Sequence, residues 1–207
     1  ALLLAVTAGC GKQKTCRSFD GTVFSGDLKW YADAYSEADV YAYYPYNANG
    51  TPTAYFAVED QTDGIAKADL MAAVKKGVLP TPNAITMVFK HLMTKLVINI
   101  DNQSGAEVTG VEIGGCRLVT GLDISEMALT KYTDIVIEAE PLIKAYEATA
   151  GKVWQAIVIP DKAKLEIIVN LSNGKKITQP LAEMTLKSGG QYSINARLLQ
   201  DDMTVSA

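Results

Sequence analysis

The feature that most constrains the fold is the punctuation of the chain after Arg17: short runs of alternating apolar and polar residues, separated by clusters of Gly, Pro, Asn and Asp. The clearest run is Leu96-Val97-Ile98-Asn99-Ile100-Asp101, which puts Leu96, Ile98 and Ile100 on one face and Val97, Asn99 and Asp101 on the other. A two-residue period belongs to a strand with one buried face. Further strands are predicted at residues 40–46 and 53–58, joined as a hairpin through the turn formers Asn47-Ala48-Asn49-Gly50-Thr51-Pro52. Residues 87–91 are predicted to pair with 96–101. Beyond them, strands are expected at 108–113, 135–139, 154–159, 164–171, 175–179, 191–199 and 203–205. Seven or eight strands in about a hundred residues is the density of a β-sandwich.

One segment reads as a helix. In residues 63–77, Asp63 can cap the first turn, Ile65, Met71 and Val74 can share a face, Lys75 and Lys76 suit the negative end, and Gly77 can terminate it. The polar, glycine-containing segment 101–107 is the expected domain boundary. The division is then residues 1–17 as leader and tether, 18–105 as a first sandwich and 106–207 as a second.

One turn is decided by register. A two-residue loop at Asn173-Gly174 would set Leu171 against Lys176 and Asn170 against Ile177, apolar against polar on both faces. A three-residue loop, Ser172-Asn173-Gly174 with a left-handed Gly174, instead sets Val169 against Ile177 and Asn170 against Lys176. The pattern selects the longer loop.

Composition narrows the function. With 48% hydrophobic and 20% charged residues the chain can bury a core, and 19 Lys and Arg against 23 Asp and Glu leave a net charge of −4, no field for a nucleic-acid backbone. One histidine and three cysteines are too few for a zinc cluster, so no metal or cofactor is expected. The nearest candidate partners of His91 in sequence, Lys90 and Thr94, do not make it a nucleophile–base pair, and a structural histidine is the favoured reading. Adjacent acids such as Glu138 with Glu140 and Asp201 with Asp202 read as solvated loops. Gly114-Gly115 and Gly189-Gly190 precede no helix and read as turns rather than phosphate loops. No catalytic residue is expected.

Six of the ten tyrosines lie between Tyr31 and Tyr46. At strand spacing Tyr41 and Tyr43 share one face, and Tyr44 and Tyr46 the other; one face must be core, and outward tyrosines could stack on a sugar or a partner. Whether Cys16 and Cys116 pair is left open.

The chain opens on the apolar run Ala1-Leu2-Leu3-Leu4-Ala5-Val6, too short for a membrane-spanning helix and consistent with the tail of a secretory signal peptide. The following Thr7-Ala8-Gly9-Cys10 resembles a bacterial lipobox, whose cysteine carries the lipid; the alternative is Cys10 as a core cysteine at the end of a short strand.

Tyr43-Tyr44-Pro45-Tyr46, Gln61 leading to Asp69-Leu70-Met71, Phe89-Lys90-His91, Ala156-Ile157-Val158-Ile159-Pro160 and Gly189-Gly190-Gln191-Tyr192 occur in this order. The series resembles the fimbrillin-like family, the type V pilins and related surface lipoproteins of Bacteroidales. The resemblance implies an all-β fold of two transthyretin-like β-sandwich domains, with the one short helix, and no catalytic site or cofactor. It implies export as a lipoprotein to the outer membrane or cell surface, with Cys10 as the lipidation site. It also implies assembly by donor-strand exchange with other fimbrial subunits, with Met203, Thr204 and Val205 as the donor strand and Arg17 as the candidate protease site. A host protein or glycan is the expected adhesion target. The segment before Arg17 is short and polar, and the first domain has only about six candidate strands, which suits an anchor subunit or static surface protein. The alternative is a non-polymerising surface lipoprotein that binds glycan through exposed Tyr44 and Tyr46.

Overall fold

The structure is a computed structural model describing residues 3–7, 15–18, 35–45, 54–130, 142–200 and 202–207. It divides into two compact units. The first comprises Ala1–Tyr55, Leu70–Leu92 and Gly121–Lys131; the second comprises Phe56–Asp69, Met93–Thr120 and Tyr132–Ala207. Among the described residues the fold is all-β, and its helix is a single 3-10 turn at Ala66–Ala68.

Among the described residues, six strands precede residue 92: β1 (Leu3–Thr7), β2 (Thr15–Ser18), β3 (Ala38–Tyr44), β4 (Ala54–Phe56), β5 (Met71–Val78) and β6 (Lys90–His91). Five of them form one sheet in the order β2-β1-β3-β5-β6. Its centre is β3, where Ala38, Val40, Tyr41, Ala42 and Tyr43 are all buried, so both faces of this strand are covered rather than one. Within the run expected as a leader, Leu3–Thr7 is strand in the structure, with β1 paired antiparallel to β3 from Leu3↔Tyr43 to Thr7↔Asp39.

The helix expected at 63–77 is absent, and its second half is β5. The predicted helical face is not the buried one: Ile65, Met71 and Val74 are half-buried, whereas Leu70, Ala72 and Ala73 are fully enclosed. Pairing with β3, through Tyr43↔Ala72 and Ala42↔Ala73, overrides the local helix preference of an Ala- and Lys-rich segment. Gly77 serves a bulge instead of a stop. At φ +66 it lets the register slip between Ala38↔Val78 and Val40↔Lys75, and its N–H donates to Asp39 Oδ1 at 3.0 Å.

The remaining strands are β7 (Thr94–Asn102), β8 (Val108–Gly114), β9 (Val119–Asp123), β10 (Ala128–Thr130), β11 (Ile143–Lys144), β12 (Tyr146–Thr149) and β13 (Val153–Val158), then β14 (Lys162–Ala163), β15 (Glu166–Leu171), β16 (Lys176–Pro180), β17 (Met184–Thr185), β18 (Gln191–Leu198) and β19 (Met203–Ser206). Neither expected pairing near the start of the chain forms. Strand β4 lies beside β9 in a separate sheet rather than in a hairpin with β3, and β6 pairs with β5 rather than with β7. The strand expected at 135–139 falls outside the described residues.

The second unit contains a four-stranded sheet, β11-β8-β15-β16, and a five-stranded sheet, β12-β13-β7-β18-β19. The alternation of β7 is as expected: Leu96, Ile98 and Ile100 are buried and Asp101 is exposed. Ile194 and Leu198 from the same sheet, and Val111, Ile113, Ile167 and Val169 from the other, complete the core. The three-residue loop forms with the expected register, Val169↔Ile177 and Asn170↔Lys176, and Gly174 has φ +82.

The expected domain boundary does not separate units. Segment 101–107 connects β7 of one sheet to β8 of the other within the same unit, and Asn102 Oδ1 accepts from the N–H and hydroxyl of Ser104 at 3.0 and 2.7 Å. A polar corner and a polar linker have the same composition; only the pairing of the flanking strands distinguishes them.

After β8 the chain passes so close to Lys164 that a Cβ on Gly115, which has φ +73, would collide with the Lys164 carbonyl. Gly151 also has a left-handed φ, +62, but open space around it. Gly115→Ala is therefore expected to cost at least about 2 kcal/mol and Gly151→Ala about 1 kcal/mol, read by urea denaturation. Equal losses at the two positions would show that close approach contributes nothing at Gly115.

Candidate functional site

The candidate donor strand lies on the rim of its own sheet. Met203, Thr204 and Val205, with Ser206, form β19, which pairs only with β18 among the described strands, through Leu198↔Met203, Arg197↔Thr204, Ala196↔Val205 and Asn195↔Ser206. Met203 is 1% exposed and anchors the strand in the core, Val205 is half-buried and Thr204 faces solvent. The approach to β19 is held by polar contacts: Leu199 N–H donates to the Asp202 carbonyl at 2.7 Å, and Lys175 Nζ donates to the Gln200 carbonyl at 3.1 Å.

The other expected site residues do not gather around it. Cys10 and Tyr46 lie outside the described residues, as do Glu138, Glu140 and Asp201. Arg17 is in β2, opposite Leu4 of β1. Tyr44 ends β3 half-buried, and Tyr35, ahead of that strand, is 89% exposed. His91 is exposed on the two-residue strand β6, opposite Met71. Cys116 carries a free thiol that burial pushes up to about 12, which keeps it protonated and unreactive at neutral pH. No group of three or more His, Cys, Asp or Glu among the described residues is placed to hold a metal ion. No helix among them is long and apolar enough to cross a membrane.

Two of the sequence motifs are clamps. Gln61 is 1% exposed, and its side chain pairs with the backbone of β13 as a neighbouring strand would: Nε2 donates to the Ile157 carbonyl at 2.8 Å and Oε1 accepts the Ile157 N–H at 2.8 Å. Nε2 also donates to the Val58 carbonyl at 2.9 Å. Meanwhile the Gln61 N–H donates to the Lys144 carbonyl at 3.1 Å, and Lys144 N–H to the Glu59 carbonyl at 2.7 Å. This short segment thus joins β11 of the four-stranded sheet to β13 of the five-stranded sheet. The second clamp is Gly189-Gly190-Gln191-Tyr192. Gly189 N–H donates to the Met93 carbonyl at 2.9 Å, and the Gly190 carbonyl accepts from Lys95 N–H at 2.9 Å, which starts β18 alongside β7. The Tyr192 hydroxyl donates to the Thr185 carbonyl at 2.9 Å and accepts from the Lys187 N–H at 3.1 Å. Gln61 stands among the polar residues Glu59, Asp60, Thr62 and Asp63, so no local apolar pattern marks the first clamp, and its partner lies 96 positions away.

These geometries belong to an all-β architecture built for strand pairing, and the match over residues 7–207 identifies it. The chain belongs to the fimbrillin-like family. Solved structures share the fold. A protein from Bacteroides uniformis provisionally assigned to cell adhesion superposes with a TM-score of 0.74 at 20% identity, over 99% of this chain and 88% of its own. A similarly assigned protein from Bacteroides ovatus gives 0.73 at 20% identity, over 99% and 84%. The tip fimbrial protein Mfa3 from Porphyromonas gingivalis, with a C-terminal truncation, gives 0.57 at 9% identity, over 99% and 91%. Among curated proteins no sequence matches the chain.

Replacing Gln61 with Leu leaves the Ile157 N–H and carbonyl without these partners, at an expected cost of about 2–4 kcal/mol, measurable by denaturant unfolding. A loss below about 0.5 kcal/mol would remove Gln61 from the account of how the two sheets are joined. Beside it, Asp60 is held at about 2, chiefly by the Thr62 hydroxyl at 2.6 Å, then by the Thr62 N–H, with Lys144 Nζ at 3.2 Å. Its folded pKa lies below the unfolded value, so its stabilising effect is complete above the model-peptide value of 3.8 and is lost as pH falls towards 2. An NMR titration of Asp60 should show its midpoint rising towards 3.8 in Thr62→Ala; an unchanged midpoint would assign the depression to the residue-62 N–H and Lys144 instead of the hydroxyl.

Proposed function

We propose that the chain is a structural or adhesive subunit of a bacterial surface fimbria, lipidated at Cys10, without catalytic activity, and joined to other subunits by exchange of β19. The observation that carries this reading is the combination of fimbrillin-like membership with a C-terminal strand that occupies the edge of its own sheet. An edge strand is held by one ladder, so leaving costs fewer hydrogen bonds than removal of a central strand, and backbone groups lost on one side are regained in an acceptor. The buried side chain of Met203 gives the donor an apolar anchor.

The pairing of β1 with β3 supports a matching acceptor. Lipoprotein processing before Cys10 would carry β1 away, leaving the β3 edge from Asp39 to Tyr43 open to an incoming strand. Cleavage after Arg17 would open the same edge but would also remove Cys10 and its lipid. The first product is an anchored subunit and the second a mobile one.

Two measurements test the reading. In the native host a fatty-acid analogue should label the wild type and not Cys10→Ser; equal labelling of both would eliminate lipidation at Cys10. Deletion of residues 200–207 should leave a folded monomer and abolish ladders on mild electrophoresis. A deletion variant that still polymerises would overturn donation by β19. N-terminal sequencing of the surface form separates the two processing routes.

A further inference from the structure

The outward face of the five-stranded sheet carries an open depression of about 640 Å³, lined in part by Asn99, Lys152, Asn195, Arg197, Thr204 and Ser206. We infer that this depression binds a sugar bearing a carboxylate, such as a uronic or sialic acid, through Arg197. The inference does not depend on polymerisation.

The strand register builds two polar rows across three strands. Asn99, Asn195 and Ser206 are aligned in one, and Asp101, Arg197 and Thr204 in the next. Rows two residues apart on a strand are spaced by about 7 Å, a distance that the substituents of one pyranose ring can bridge. The Arg197 guanidinium is held in place before any ligand arrives. Its Nε lies 3.6 Å from Asp101 Oδ2, its Nη2 donates to Gln103 Oε1 at 3.0 Å, and Gln103 Nε2 closes the ring by donating to Asp101 Oδ2 at 3.0 Å. These contacts use a minority of its five N–H donors, and a planar fork oriented in this way suits bidentate capture of a carboxylate.

The remaining groups suit hydroxyls. Asn99 Nδ2 donates to Asn195 Oδ1 at 3.0 Å, which leaves the Asn99 oxygen as an acceptor and the Asn195 amide as a donor. Lys152 lines the same depression and makes no ion pair among the described residues, so the lining carries two cations and one acid. Val153, aligned with Asn99, supplies an apolar edge for the C–H face of a ring. The acids Glu107 and Glu147 line a second depression that shares Ile100, Asp101 and Lys152 with this one but not Arg197, which favours the Arg197 end for the carboxylate.

The test is an NMR titration of the intact chain that follows the side-chain amides of Asn99 and Asn195. Glucuronic acid or N-acetylneuraminic acid should shift both, and the tighter of the two identifies the ligand type. Glucose and acetate should bind at least tenfold more weakly, because each offers half of the chemistry. Arg197→Gln should weaken the acid sugar about tenfold, and Arg197→Lys should fall between it and the wild type, since charge is kept and the fork lost. Lys162→Gln, outside the depression, should leave binding unchanged. Equal binding of acetate would overturn recognition of a sugar, and equal binding of glucose would overturn recognition of the carboxylate. Absence of shifts with both acid sugars, or full affinity in a folded Arg197→Gln, would overturn the site itself.

Discussion

The parallel pairing of β7 with β18 is the contact on which the second unit depends. It runs from Lys95↔Gln191 to Asn102↔Leu198 and joins residues 96 positions apart. A parallel pair cannot be closed by a tight turn, so the intervening chain must leave the sheet, build the opposite one and return. That is the path taken by β8, β11, β15 and β16. Once β18 is seated, Leu96 and Ile98 of β7 face the same interior as Ile194 and Leu198, and the outer edge of β18 is left for β19. The sandwich core, the position of the C-terminal strand and the polar rows on the outer face all follow from this one register.

Polar side chains hold that arrangement at the points where backbone ladders run out. Gln61 takes the place of a missing strand at Ile157, and Thr94, fully buried, donates from its hydroxyl to the Lys187 carbonyl at 2.8 Å near the start of β18. Buried donors and acceptors left unpaired are costly, and at Ile157 and Thr94 each such group is answered by a specific partner. Motifs that mark the family in sequence therefore serve the fold. The surface on which a partner or ligand would act is made of residues with no such signature, Asn99, Asn195 and Arg197 among them.

Fimbrillin-like membership and the edge position of β19 support the proposal that the chain acts through strand pairing rather than in a cleft. The same edge strand supplies Thr204 and Ser206 to the depression on the outer face. A chain that gives β19 to a neighbour would give up that wall. By linkage, a ligand bound there favours the state in which β19 stays in its own sheet.

The sequence by itself determined the local terms: the two-residue period of 96–101, the three-residue loop before Lys175, the C-terminal strand and the all-β class. Each of these is decided within a few residues, by which side chains must share a face and by which backbone angles a turn requires. Tertiary structure alone decided which strands meet. Residues 71–78 have the composition of a helix and became β5 because β3 offered a ladder and a buried face on which Ala72 and Ala73 fit. Leu3–Thr7, apolar enough for a leader, lies against β3, and the polar segment 101–107 turned a corner inside one unit. The same limit applied to the candidate sites. The edge position of β19 and the alignment of Asn99 with Asn195 depend on pairing energies between distant segments, which no local pattern of side chains encodes.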